Sequence, residues 1–106
     1  MDTSPLTPNE ISHLHERLPG WSHISVDGVV RLQRVYSVPS PATARTFTQL
    51  LNEMATSVKH HPAVLTQTGE ITVAWWTIEK HTISRLDVTM AEKTDRLFEA
   101  VVAGVR

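Results

Sequence analysis

No cysteine occurs in the chain. Disulfides and thiolate chemistry are therefore excluded, and the cytoplasm is the default expectation for location. Charge of neither sign prevails: the formal net charge is -1, and lysine and arginine are scattered along the sequence. A binder of phosphate backbones needs a basic face, so nucleic acid is not an expected partner. No apolar stretch approaches the length of a membrane span. The opening Met1-Asp2-Thr3-Ser4-Pro5 has neither the basic region nor the apolar run of a signal peptide, so no membrane partner is expected. Internal repeats and low-complexity segments are missing too. What remains is 106 residues with 41% hydrophobic content. That suffices for one packed domain, expected over residues 1–106, and is too short for two.

Thr7-Pro8-Asn9-Glu10 reads as a capping box, and Ile11, Leu14 and Leu18 follow at helical spacing until Pro19-Gly20 stops the helix. His13 and His15 fall between these apolar positions and face solvent. Asp27-Gly28 between Trp21–Val26 and Val29–Val38 is a hairpin signal, because a type I′ turn needs positive φ at both central residues. Ser40 caps and Pro41 opens a second helix, whose stripe is Phe47, Leu50, Leu51, Met54 and Val58. Ala63–Thr68 and Glu70–Ile78 form a second hairpin around Gly69. A polar loop, Glu79-Lys80-His81-Thr82, leads to a second capping box, Ser84-Arg85-Leu86-Asp87. The last helix runs to about Val102 and buries Met90, Leu97, Phe98 and Val101. The order predicts an α+β fold: a four-stranded antiparallel sheet with three helices on one face. The other face and the edge strands are left free, which predicts a homodimer or tetramer.

Lys59-His60-His61-Pro62 lies where the second helix hands over to the second hairpin. Pro62 drives His61 out of helical geometry. Two histidines at the mouth of a cleft suit acid–base chemistry near neutral pH. They could equally end a helix by bonding local carbonyls. A metal site with His81 and Glu79 is set aside, because adjacent side chains diverge and no i, i+4 ligand pair exists. Of Trp75 and Trp76, which point to opposite sides of their strand, one belongs to the core. The other lines a cleft or faces a partner. Trp21 is expected in the core.

Leu18-Pro19-Gly20-Trp21, His60-His61-Pro62, and Trp76-Thr77 before a capped helix together resemble the pterin-4a-carbinolamine dehydratase family, from Leu6 to about Ala100. The resemblance implies removal of water from a 4a-hydroxytetrahydropterin, with no bound cofactor and no metal. It gives His60 and His61 as two of three functional histidines, and Pro62, Trp76, Thr77 and Asp87 as their surroundings. Asp87 also has a simpler role as the acidic member of its capping box. The third histidine falls on Ile78, which cannot transfer a proton. An acidic residue usual four places before the pair is Thr56. His81, three positions beyond Ile78, would lie roughly 10 Å away in extended chain. Glu53, one helical turn from Thr56, would approach to about 5–6 Å. These departures are similar to those of dehydratase-like proteins encoded with carboxysome components, which assist Rubisco assembly. Together they favour a non-catalytic assembly factor, with Rubisco and a pterin as possible partners, over an active lyase.

Overall fold

Thr7 begins the first helix by a reciprocal exchange: its Oγ1 accepts the Glu10 N–H at 3.2 Å, and Glu10 Oε1 accepts the Thr7 N–H at 2.9 Å. In the computed structural model, which describes residues 2–104, this helix is α1, Pro8–Ser12. It does not continue to Leu18. It stops at His13 and restarts as α2, Leu14–Arg17. Side chains compete for the Asn9 carbonyl there: Ser12 Oγ donates to it at 2.7 Å, and His13 Nδ1 lies 2.7 Å from it. The described residues therefore hold four α-helices where three are expected from sequence.

The Asp27-Gly28 hairpin forms as expected, with φ of 52° and 80° at its two central residues. It joins β1, Ser22–Val26, to β2, Val29–Ser37. The second hairpin turns at Gly69 and joins β3, Ala63–Gln67, to β4, Glu70–Trp75. Since β2 also pairs with β4, the sheet is four-stranded and antiparallel in the order β1-β2-β4-β3. β4 ends at Trp75, not at Ile78. Ala63 faces Ala74, so the next position puts Pro62 opposite Trp75, and proline has no N–H to extend the ladder.

Two long helices supply the second layer. In α3, Pro41–Val58, Ser40 Oγ accepts the Thr43 N–H at 3.1 Å. In α4, Arg85–Val102, the Asp87 carboxylate accepts the Ser84 N–H at 2.8 Å. Phe47 and Leu51 of α3 and Met90 of α4 are buried with Leu32, Tyr36, Ile71, Val73 and Trp75 of the sheet. Each such large side chain contributes about 1.5–3 kcal/mol by leaving water. The tryptophan pair resolves cleanly. Trp75 is core, its Nε1 donating to Thr94 Oγ1 at 3.1 Å, while Trp76 is half-buried at the core's margin with the Arg31 guanidinium 4.1 Å from its ring centroid.

Asp95 ties the other end of the core. Its carboxylate accepts from Trp21 Nε1 at 3.0 Å, Arg34 Nη1 at 2.9 Å and Tyr36 Oη at 2.6 Å. Gly20 of Leu18-Pro19-Gly20-Trp21 lies against this network. A Cβ at Gly20 would collide with the Arg34 guanidinium, which lies over the Tyr36 ring. Trp21 is thus in the core as expected, and polar at its edge.

Candidate functional site

α3 ends in a way that aims the histidine pair. Lys59 takes the left-handed conformation, φ 56°, without being glycine. Its N–H donates to Thr56 O at 3.2 Å, and the His60 N–H donates back to Ala55 O at 3.1 Å. This is a Schellman closure, followed by Pro62 three positions beyond Lys59. The left-handed residue carries strain of about 1–2 kcal/mol, held at the base of the candidate site.

His60 turns inward. Its ring stacks on Trp75, with centroids 5.6 Å apart and planes 23° apart. Its Nε2 lies 2.6 Å from Asp87 Oδ1, with the His60 side chain 16% exposed and that of Asp87 fully buried. The other carboxylate oxygen, Oδ2, accepts from Thr77 Oγ1 at 2.7 Å, from the Ser84 N–H at 2.8 Å and from Ser84 Oγ at 3.2 Å. Thr77 Oγ1 and Ser84 Oγ are themselves 2.7 Å apart. Every partner of this buried carboxylate thus comes from three short segments: the end of α3, the end of β4, and the start of α4. The capping box expected at Ser84–Asp87 exists, and one of its carboxylate oxygens is shared with the hydroxyl pair while the other holds the imidazole.

His61 turns the other way. It is exposed, and its Nε2 lies 3.1 Å from Thr56 Oγ1 on α3. With Pro62 it reaches one end of an open groove between α3 and β3, of about 1160 Å³, whose walls include Thr48, Leu51, Asn52 and Val64. His60 is not among the groove's lining residues. The two rings therefore diverge from adjacent positions, as the sequence suggests.

Beyond Trp75 the chain folds back. Thr77 pairs with Thr82, its N–H donating to Thr82 O at 2.9 Å, around a 3-10 turn at Ile78–Lys80. Ile78 points outward, 69% exposed. His81 is exposed too, with φ 54°. The extended spacing that would carry His81 roughly 10 Å away does not occur, because the loop closes on itself. Glu53 does not approach the motif; its carboxylate accepts from Gln49 Nε2 at 3.3 Å along the helix surface. Of the residues singled out from sequence, His60, Asp87 and Thr77 are joined directly. His61 and Pro62 border the groove, Trp76 is half-buried just beyond β4 against the core and Arg31, and Ile78 lies on the loop surface. Ser84 and Trp75 were not assigned to the site from sequence. Their signals are the serine of the capping box and the inward parity of the strand.

The model of the pterin 4 alpha carbinolamine dehydratase family matches residues 4–97. A protein of Syntrophotalea carbinolica is 41% identical over 93 residues, covering 88% of this chain and 83% of that relative. One of Chlorobium limicola is 38% identical over 96 residues, covering 91% and 85%. Both are provisionally named pterin-4-alpha-carbinolamine dehydratases. The crystal structure of a transcriptional coactivator/pterin dehydratase from Brucella melitensis superposes with a TM-score of 0.78 at 26% identity, over 89% of this chain and 98% of that one. A pterin dehydratase-like protein identified as a RuBisCO assembly factor in the alpha-carboxysome superposes with a TM-score of 0.64, over 74% of this chain and 89% of that one. At 16% identity the latter likeness is one of fold alone.

Proposed function

Starting from the pterin 4 alpha carbinolamine dehydratase family, to which this chain belongs, we propose that it binds a 4a-hydroxytetrahydropterin and dehydrates it slowly, with His60 and His61 as its acid–base pair. The observation that carries the reading is the buried pair of His60 Nε2 and Asp87 Oδ1 at 2.6 Å. A buried carboxylate is costly to desolvate, and an apolar replacement of similar volume is often as stable. Here it is met by an imidazole, two hydroxyls and a backbone N–H. That arrangement suits a group that must orient one ring and balance its charge.

The chemistry needs one proton taken from a ring nitrogen and one given to the departing 4a-hydroxyl, so that the C4a–O bond breaks and water leaves. His60, with a carboxylate to balance an imidazolium, suits the acid. His61, whose ring nitrogen meets the neutral Thr56 hydroxyl, suits the base. Ile78 supplies neither, so the rate should fall below that of a three-histidine site by on the order of 10²–10⁴. The test is formation of quinonoid dihydropterin by wild type and by His60→Ala with His61→Ala. We expect wild type to exceed the spontaneous rate and the double variant not to. A wild type no faster than the spontaneous reaction overturns the proposal.

A second reading is a protein-binding assembly factor on the same fold. Its support is β3, an edge strand exposed at all five residues, with Leu65 exposed on one face of it and the groove on the other. An unpaired edge of this kind favours pairing with another chain. Self-association as a homodimer belongs with either reading. Binding to Rubisco, tested by co-migration in native gels, would favour the second reading.

A further inference from the structure

We infer that Thr56 is a positioning residue that holds the neutral His61 ring in the tautomer with its proton on Nε2, leaving Nδ1 as the open, proton-accepting atom. The inference deepens the assignment of His61 as base and rests on that reading only for its catalytic meaning.

A threonine hydroxyl carries one proton and two acceptor lone pairs. Thr56 Oγ1 donates its proton to Asn52 O, one helical turn back, at 2.8 Å. This is the usual back-bond of a mid-helix threonine. The same oxygen lies 3.1 Å from His61 Nε2. We assign that proton to the shorter of the two contacts, Asn52 O, so that at His61 the oxygen accepts. His61 must therefore present N–H at Nε2, and a neutral imidazole with a proton on one nitrogen has the other bare.

A carboxylate at position 56 would impose the same tautomer, since it too only accepts. It would also add a charge, and the hydroxyl does not. Thr56 thus keeps the orienting half of an acidic residue's work and drops the electrostatic half. On His60 the same nitrogen, Nε2, is engaged, but by the carboxylate of Asp87. Both rings are consequently turned the same way chemically, with Nδ1 left open, while only one of them has a counter-charge. Two adjacent histidines made unequal in this manner can divide acid and base work between them.

The test reads tautomers directly, by long-range proton–nitrogen NMR of histidine-labelled protein at a pH where His61 is neutral. Wild type is expected to give the pattern of a single Nε2–H tautomer at His61. Thr56→Val, which keeps the shape and removes the hydroxyl, is expected to give averaged nitrogen shifts from both tautomers. Thr56→Ser is expected to restore the wild-type pattern. A wild-type ring protonated at Nδ1, or a valine variant with an unchanged pattern, overturns the inference. Dehydration assays on the same proteins separate the two claims. A tautomer lost in Thr56→Val without any wild-type turnover sinks the proposed function and leaves the positioning role standing. Wild-type turnover with an unmoved tautomer does the reverse.

Discussion

His60 and Asp87 stand 27 positions apart in the chain and meet at 2.6 Å through Nε2 and Oδ1, beneath the end of the central strand β4. The carboxylate is at once the acidic member of the α4 capping box and the partner of the imidazole. Asp87→Asn keeps the shape and puts an amide where Oδ2 accepts its three donors. It should cost about 1–3 kcal/mol in stability and lower any dehydratase turnover on the order of 10²–10⁴. Asp87→Ala, which leaves the hydroxyls unmet, should cost about 3–5 kcal/mol. Urea unfolding of the three proteins checks the order. An alanine variant as stable as wild type would remove the network from any structural account.

Ile78 is an exposed side chain on a short loop, so replacing it should leave stability within about 0.5 kcal/mol. Ile78→His puts a proton-transfer group at the position where the proposed reading expects a third histidine. Turnover should rise by on the order of 10², and further when Thr56→Glu is added. The readout is quinonoid dihydropterin formation. Unchanged turnover in both variants would mean that the loop holds residue 78 away from the ligand.

Lys59 pays for its left-handed conformation at the helix end. Lys59→Gly removes that strain and should stabilise the protein by about 1 kcal/mol, or about 4–8 °C in melting temperature for a chain near this size. Calorimetry checks it. A lower melting temperature would show that the lysine side chain makes up for its backbone.

Tyr36 gives the stability a pH dependence with a definite sign. Burial first, then its bond to Asp95 and the charge of that carboxylate, push its ionisation well above the ordinary 10.0. The unfolded chain releases the phenolic proton near that ordinary value, and the folded chain retains it. The contribution is therefore fully present below pH 10 and is lost as pH rises above it, by up to about 1.4 kcal/mol per pH unit. Tyr36→Phe should lose about 1 kcal/mol near neutrality and show a shallower alkaline decline. Denaturant midpoints between roughly pH 8 and pH 11 separate the two. Equal alkaline slopes would exclude Tyr36 as the source.

The exposed β3 edge should carry a homodimer at micromolar concentration. Sedimentation velocity is the measurement, with Leu65→Lys as the control. A charge on an edge strand opposes strand pairing, so that variant should sediment as monomer. Wild type sedimenting only as monomer would leave the edge without this role.

Most of the fold is legible in the sequence, because its signals are local. Asp27-Gly28, Gly69, Ser40-Pro41 and Ser84–Asp87 each dictate a turn or a cap from within four residues. Alternation picks out Ile71, Val73 and Trp75 as core correctly, though Ala74 on the other parity is buried as well. The split at His13 escapes such reading, since two ordinary side chains outbid a backbone bond for one carbonyl. The end of β4 escapes it as well. On the β3 side the ladder stops at Ala63 and Ala74, short of Pro62, and on the β2 side at Leu32 and Trp75, and both depend on a register unknown until the strands are paired. In the site, His60-His61-Pro62 is visible as a motif. The partners are not: the alliance of Asp87 with His60 joins segments that nothing local connects, and the roles of Thr77 and Ser84 follow only from it.

The clasp between Thr77 and Thr82 makes the loop that bears Ile78 a self-contained cassette. Its two ends are pinned next to each other by a backbone bond, and its middle, from Ile78 to His81, is exposed. A chain with such a loop can drift at those positions, or exchange the whole insert with a relative's, while the carboxylate network beneath keeps its geometry. Substitutions at residues 78 to 81 should therefore leave that network undisturbed. The same modularity offers the experimenter a graft: a six-residue swap tests ancestry and chemistry without rebuilding the fold.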